Sequence, residues 1–374
     1  MNCSCTEFEF IQRIVEEVSN SKFNRMPLFV AKYPVGISSR VEAIKILLDI
    51  ESNDVRMVGI YGLGGVGKTT IAKAIYNRFF NLFDGSSFLE NISQNSKTNG
   101  GITQLQETLL FEILGDRNLK VSSISRGINM INESLCYKRV LIILDGVDEL
   151  DQIESLLGKC DWFASGSRII ITTRDKHLVA PLGNGLSTYE VKGLNEQEAI
   201  ELFNQHAFRR NKPKEDYLEL ANQVIRYAKG LPLALTIMGA DFCGRTKAEW
   251  KSALRKYEKF PNIGIQKILK ISYEELDETE RDIFLDIACF FNGHYMDYVV
   301  DILETCDLYP ISGIPKIIDK CLVTVDQYNK LSMHDLLQQM GRDIVRQESP
   351  HKPKERSRIW CYEDALDILA KNMV

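Results

Sequence analysis

No C-x-x-C pair occurs among the nine cysteines of this 374-residue chain, so a zinc site is not indicated. Their odd number and irregular spacing do not form a disulfide framework either, and free thiols in a reducing compartment are the expectation. No apolar run is long enough to span a bilayer. The first ten residues lack the basic-then-apolar order of a secretory signal. A soluble intracellular protein is therefore expected, in the cytoplasm first and the nucleus second, with no membrane partner. Positive charge is not in excess: 46 Lys plus Arg against 51 Asp plus Glu leave a formal charge of −5, which disfavours nucleic acid as a partner. Short repeats and low-complexity tracts are missing too. What remains is 44% apolar and 26% charged, the balance of ordinary globular domains, and the length calls for two or three of them.

Residues 7–18 (EFEFIQRIVEEV) read as a short amphipathic helix, and Asn24 to Pro34 as a connector punctuated by Pro27 and Pro34. From about residue 39 strands and helices alternate. Met57–Tyr61, Ser87–Leu89, Val140–Leu144, Arg168–Thr173 and Tyr189–Val191 are the strand candidates. Ile71, Ala74, Ile75 and Phe79 fall at helical spacing just after the first. Continuous apolar strands between helices predict a parallel sheet covered on both faces.

After about residue 194 the strands stop. Leu220, Ala221, Val224, Ile225 and Ala228 mark a helical stripe ended by Gly230 at a C-cap position, and Pro232 suits the first turn of the next helix. Thr279 before Ile283, Phe284, Ile287, Ala288 and Phe291 marks another. Leu322–Val325 and Lys330–Ser332 predict a hairpin around Gln327–Asn329. The helix after it carries Leu337, Met340, Gly341 and Ile344 on one face, so helices with a late hairpin fit a winged-helix arrangement.

Four elements carry chemistry. Gly62-Leu-Gly-Gly-Val-Gly67-Lys68-Thr69 matches G-x-x-x-x-G-K-[ST], with a strand before it and a helix after it. Glycines let backbone N–H groups turn toward phosphate oxygens, and the helix N-terminus adds a positive dipole end. Lys68 supplies a full charge and Thr69 a hydroxyl for Mg²⁺. Arg139-Val-Leu-Ile-Ile-Leu144-Asp145 is the second: an acid ending a buried strand holds Mg²⁺ in such sites. The next position, where many P-loop ATPases carry a second acid, is Gly146, which takes no proton. Asp148 and Glu149 follow on a turn of unknown direction. Binding is thus better supported than turnover, and any ATPase activity is expected to be slow.

The third element is Gly166-Ser-Arg168-Ile-Ile-Ile-Thr172-Thr173-Arg174. Its polar end points into the crevice where open parallel sheets bind ligands. Arg174 either reaches a γ-phosphate or is a surface arginine paired with Asp175. Met333-His334-Asp335 is the fourth. Ser332 and Asp335 form an S-x-x-D capping pattern that places His334 in the first turn of a helix. By itself His334 reads as structural, although an imidazole at a helix N-terminus can also meet a phosphate.

With these elements in order, the sequence resembles the NB-ARC switch of plant NLR disease-resistance proteins. Phe83-Asp-Gly-Ser-Ser-Phe88, Gly230-Leu-Pro232-Leu-Ala-Leu235 and Phe284-Leu-Asp-Ile-Ala-Cys-Phe-Phe291 match as well. Asp148 in place of Trp, the F-L-D-I-A-C-F-F run and Tyr33-Pro-Val-Gly36 resemble the TIR class. The likeness runs from about residue 7 to about residue 370. It implies an α/β P-loop NTPase sheet (35–192) after an N-terminal helix and linker (1–34), then a helical ARC domain (193–262) and a winged-helix domain with a C-terminal linker (263–374). It implies ADP or ATP with Mg²⁺ as ligands. Gly62, Gly64, Gly65, Val66, Gly67, Lys68, Thr69 and Thr70 would hold phosphate, and Thr69 and Asp145 the metal. Val35, Gly36, Arg40 and Pro232 would lie near the adenine. His334 would contact the β-phosphate and Arg174 sense the γ-phosphate.

The resemblance further implies self-association on activation and contacts with TIR and leucine-rich-repeat domains. Neither domain falls within these residues, so the chain reads as an excised piece or a truncated member, and no NAD-cleaving activity is expected. Two other readings share the motifs. A P-loop ATPase or small-molecule kinase needs an activating acid near Asp145. An ATP-gated winged-helix transcription regulator needs a basic face. The run His351-Lys-Pro-Lys-Glu-Arg-Ser-Arg358 is basic, but reads as a solvated linker.

Overall fold

The computed structural model describes residues 26–116, 118–158, 162–179, 186–209 and 215–372. The helix expected over 7–18 lies outside them. The described residues fall into two compact units. One is drawn from Met1–Tyr61 and Lys68–Glu190, the other from Gly62–Gly67 and Val191–Val374.

The first unit holds a five-stranded sheet. Its strands are β1 (Arg56–Tyr61), β2 (Gly85–Leu89), β3 (Val140–Val147), β4 (Arg168–Thr173) and β5 (Leu186–Glu190), in the order β2-β3-β4-β1-β5. Every neighbouring pair is parallel. Three of the strands (GSSFL, VLIILDGV and RIIITT) are buried at nearly every residue. Such strands have no wet face, so helices must cover both sides. Edge strand β5 (LSTYE) is half exposed, as an outer strand can be. Helix α1 (Ile37–Leu48) turns Val41, Ile44 and Leu48 inward. Helix α2 (Lys68–Phe79) buries Ile71, Ala72, Ile75, Tyr76 and Phe79. Short α3 (Ile92–Ser96) and long α4 (Gly101–Leu114) follow β2, then α5 (Ile124–Leu135), and α6 (Leu150–Leu157) follows β3. Strand β4 lies between β1, which leads into the glycine loop, and β3, which carries Asp145. The register of β3 against β4 shifts between Leu144 and Val147, so a bulge sits at Asp145-Gly146.

The second unit is helical. Its helices are α7 (Glu196–Phe208), α8 (Leu218–Ala228), α9 (Pro232–Phe242), α10 (Lys247–Lys259) and α11 (Ile263–Glu274), and Trp250 of α10 packs against Phe203 and Phe208 of α7 and Phe242 of α9. That indole stacks on Phe242 at 4.6 Å and on Phe208 at 5.5 Å, and its N–H donates to the Phe242 carbonyl at 2.9 Å. A buried Trp with its one donor satisfied anchors a core well. Helix α8 ends one residue earlier than expected: Lys229 is the C-cap, at φ 43, and Gly230 follows at φ 73.

The winged-helix part consists of α12 (Glu278–Asp286), a π turn (Ile287–Phe291), α13 (Met296–Glu304), α14 (Pro310–Asp319), a hairpin of β6 (Thr324–Val325) and β7 (Leu331–Ser332), and α15 (Asp335–Glu348). The N-cap of α12 is Asp277, two residues before Thr279, because the Asp277 and Glu280 side chains cap each other's backbone N–H groups. A final helix, α16, spans Tyr362–Asn372.

The basic run 351–358 is exposed at His351, Lys352 and Lys354, as a solvated linker would be, but not at its two arginines. Arg358 bonds Asp282 at 2.9 Å and Asp286 at 2.5 Å, and Arg356 bonds Asp364 at 2.6 Å. These acids stand at distant or later positions, so the run by itself did not reveal its partners.

Candidate functional site

The first unit gathers its polar groups at the C-terminal edge of the sheet. Lys68 opens α2 and is only 9% exposed. The Thr69 hydroxyl donates to Asp145 Oδ2 at 3.0 Å, and the Thr172 hydroxyl donates to Asp145 Oδ1 at 2.7 Å. Both oxygens of the buried carboxylate are thus addressed from β1's following helix and from neighbouring β4. Burial pushes the Asp145 carboxyl up, against the pull of Thr172, Thr69 and the Lys68 charge. A desolvated acid with hydroxyl neighbours is a hard-oxygen donor set. It suits Mg²⁺, which takes one or two protein oxygens and completes its shell with waters and phosphate. Among the described residues no cluster of three or more His, Cys, Asp or Glu forms a metal cage.

Gly146 sits at φ 76, and its N–H donates to Thr172 Oγ1 at 2.9 Å. The bulge therefore wants a residue without Cβ, which accounts for the missing second acid. The two acids that follow are committed elsewhere. Asp148 accepts from Ser93, from Lys97 at 2.7 Å and from Gln152 at 2.6 Å, and those partners hold its carboxyl below the usual range although burial opposes them. Glu149 is the N-cap of α6, in a reciprocal capping box with Gln152.

Gly36 is the N-cap of α1 at φ 70, and its carbonyl accepts from the Arg40 guanidinium and from Ser39. Val35 N–H donates to the Tyr33 carbonyl at 3.0 Å. Arg174 is half-buried after β4. Its neighbour Asp175 caps the short turn Lys176–Leu178 by accepting from the His177 N–H at 2.9 Å.

In the second unit, Gly62, Gly65 and Gly67 all have positive φ. The Gly65 carbonyl accepts from the Leu233 N–H at 3.2 Å, and a Cβ on Gly65 would lie 2.7 Å from the Leu233 side chain. Glycine is needed there on both counts. Pro232 is the first residue of α9, where its missing N–H costs nothing.

His334 is not inside the first turn of α15 but is its N-cap. Ser332 belongs to β7 and makes no cap, so the S-x-x-D pattern does not form. Instead His334 Nδ1 accepts from the Leu336 N–H at 3.2 Å, while Nε2 lies 3.4 Å from the Lys229 carbonyl. Lys229 Nζ in turn meets Asp335 at 2.7 Å. Tyr227 donates to Gln339 Oε1 at 2.6 Å, and Gln339 donates to the Tyr257 carbonyl at 2.6 Å. The start of α15 is therefore latched to the end of α8. Sequence reasoning missed Lys229 and Tyr227; a lysine in the last turn of a helix was the available signal.

Protonation tests the cap. Burial pushes the imidazole below the ordinary histidine value of 6.5, against the opposite pull of the Lys229 carbonyl and Asp335. The unfolded chain takes up this proton first, so the cap's contribution is complete above about 6.5 and is lost as pH falls through the folded value below it. Between pH 7.5 and 5.5 the protein should lose about 1 kcal/mol more stability than a His334→Asn variant, whose amide caps at either pH. Parallel melting curves for the two would refute this.

Residues 37–213 match the NB-ARC domain, and residues 277–349 match the winged-helix domain of Roq1-like disease resistance proteins. The chain belongs to the NB-ARC family. The disease resistance protein RUN1 of Vitis rotundifolia is 47% identical over 350 residues, 92% of this chain and 26% of that protein. The TMV resistance protein N of Nicotiana glutinosa is 41% identical over 374 residues, 98% of this chain and 32% of that one. These relatives are TIR-class plant disease resistance proteins, and the NB-ARC chain spans about a quarter to a third of their length. Among solved structures, the Walker-type ATPase PABY2304 of Pyrococcus abyssi aligns with a TM-score of 0.54 at 12% identity, over 82% of this chain and 95% of that one. That likeness shows a shared P-loop NTPase fold. NB-ARC membership makes this a nucleotide-binding chain. No helix of the described residues is long and apolar enough to cross a membrane.

Proposed function

We infer that this NB-ARC chain is the adenine-nucleotide switch of a plant intracellular immune receptor, exchanging ADP for ATP with Mg²⁺ and self-associating when it does so. The observation that carries the reading is the Thr69–Asp145–Thr172 oxygen cluster at 3.0 and 2.7 Å beside Lys68. In this reading the amides of Gly62, Gly64, Gly65, Val66, Gly67 and Thr70 and the Lys68 ammonium hold phosphate. Thr69 and Asp145 hold the metal, which supplies charge neutralisation on the phosphates when bound. Val35, Gly36, Arg40 and Pro232 flank the adenine, His334 addresses the β-phosphate and Arg174 the γ-phosphate. The working parts are a P-loop domain (35–192), a helical domain (193–262) and a winged-helix domain (263–374). TIR and leucine-rich-repeat domains are its partners, in the cytoplasm.

Nucleotide moves such a switch only by binding its two states unequally. The latch from α15 to α8 is one place where that difference is felt. Asp335→Val removes the Lys229 ion pair. Both partners are about half exposed, so the bridge contributes at most about 1 kcal/mol, and release of a fluorescent ADP analogue should accelerate by up to about 5-fold. An unchanged release rate would contradict the latch's role.

The reading as a whole is tested by mass analysis of what denatured, freshly purified protein releases. An adenine nucleotide is expected. Protein that carries none, and that shows no heat of binding with ADP or ATP and Mg²⁺, would end it.

A further inference from the structure

We propose that Glu90 is the acid that orients and deprotonates the water attacking the terminal phosphate of a bound nucleoside triphosphate, in the role that Gly146 cannot fill. This rests on the nucleotide-binding reading above and adds slow hydrolysis to it.

Strand β2 pairs in parallel with β3, with Leu89 opposite Leu144. The next residue on each strand is then Glu90 and Asp145, side by side at the C-terminal edge of the sheet, the edge where open parallel sheets take their ligands. Helix α2 holds both acids. Thr69 and Lys73 are four residues apart and so share one helix face. The Thr69 hydroxyl reaches Asp145 Oδ2 at 3.0 Å, and the Lys73 ammonium reaches Glu90 Oε1 at 2.7 Å. The second oxygen of Glu90 makes no hydrogen bond among the described residues, and the side chain is 43% exposed. The lysine is well shielded and also lies over the Phe88 ring at 5.9 Å. It fixes the carboxylate through one oxygen and leaves the other open to water.

Elimination points the same way. At Gly146 the backbone is bulged, and a Cβ there would have only the Asn91 Cα within 4 Å, at 3.9 Å. The vacant acid position therefore borders the end of β2, one residue from Glu90. Asp148 is held by Ser93, Lys97 and Gln152, and Glu149 and Asp175 are capping residues. Glu190 ends the far edge strand β5, opposite Tyr61 and three strands from β3. Of the acids that border Asp145 and the end of β2, Glu90 and Asp145 itself remain, and the hydroxyls of Thr69 and Thr172 already occupy Asp145.

The step balances with water as the only co-reactant. The water oxygen forms a bond to the γ-phosphorus, and the bond from that phosphorus to the β–γ bridging oxygen breaks. Its electron pair leaves with ADP. The proton shed by the water passes to the free oxygen of Glu90 and then to solvent.

The test uses the full chain, with Glu90→Gln, Glu90→Asp and, as a binding control, Lys68→Ala. Bound ATP is followed in a single turnover by quenching and chromatography, ATP affinity is measured by titration, and the nucleotide carried through purification is identified. Wild-type protein should convert its bound ATP and leave the cell carrying ADP. Glu90→Gln should keep ATP affinity within about 2-fold, slow conversion on the order of 50-fold, and emerge carrying ATP. Glu90→Asp, one methylene shorter but still an acid, should fall between. Conversion at the wild-type rate in either variant would overturn the proposal. So would loss of affinity in step with loss of turnover, which would make the Lys73 pair a structural brace, and so would wild-type protein that binds ATP and leaves it intact. Wild-type protein that binds no nucleotide at all fails the underlying reading instead.

Discussion

Replacing Lys68 with alanine should lower affinity for ADP and ATP by about three orders of magnitude while leaving the fold intact. The ammonium opens α2 from a position only 9% exposed, where water screens it poorly. Hydrogen bonds to charged groups contribute about 1.5–3 kcal/mol each, and a lysine shared between two phosphates makes two of them. About 4 kcal/mol is a factor of roughly 10³ in dissociation constant. Folding survives because Asp145, which loses the pull of that charge, keeps the Thr69 and Thr172 hydroxyls. Ile71, Ala72, Ile75, Tyr76 and Phe79, the apolar part of the buried flank of α2, are untouched by the change. Calorimetric titration of wild-type and variant protein, with melting curves beside it, checks both halves. Affinity within about 10-fold of wild type would mean that the loop amides carry the phosphate without the charge.

The glycine loop and the strand ending in Asp145 were legible because chemistry dictates residue type and spacing there, and because runs such as VLIIL have only one comfortable place, inside a covered parallel sheet. The winged-helix hairpin was legible from its turn residues. What was not legible depends on partners remote in sequence. Ser332-Met-His-Asp335 has the letters of a capping box, yet Ser332 is claimed by its pairing with Thr324, so His334 caps the helix itself. The arginines of the 351–358 run look solvated until α12 delivers Asp282 and Asp286 to Arg358 and α16 delivers Asp364 to Arg356. Glu90 is not legible in the sequence because one acid after a weak strand carries no pattern; only the register of β2 against β3 brings it beside Asp145. Gly146 read as a lost function, and the bulge shows it as a backbone requirement.

Arg168 likewise takes its role from partners remote in sequence. It stands in one unbroken motif with Thr172 and Arg174, but five strand steps of about 3.3 Å separate it from Thr173. It therefore belongs to the opposite end of β4, away from the ligand edge. There it is fully buried and donates to the carbonyls of Leu48 at 2.5 Å, Asp54 at 2.7 Å, Ser167 at 2.8 Å and Ser52 at 2.8 Å, and to that of Asp49. Leu48 and Asp49 end α1, whose last carbonyls have no partner within the helix. The guanidinium thus caps that helix and ties the following turn to the sheet. Burial pushes its pKa down while Asp54 and Asp49 pull it up and Arg139 and Arg56 push it further down; a guanidinium remains charged through this. Arg168→Ala leaves five buried or half-buried carbonyls to find water or go without, and should cost about 3–5 kcal/mol by denaturant unfolding. Arg168→Lys should recover little, since one ammonium cannot reach a fan of five acceptors. Nucleotide affinity per folded molecule should stay at the wild-type value. A loss below about 1 kcal/mol would mean that water replaces the arginine at this end of the sheet, and a loss of affinity in the molecules that still fold would mean that the two ends of β4 are coupled.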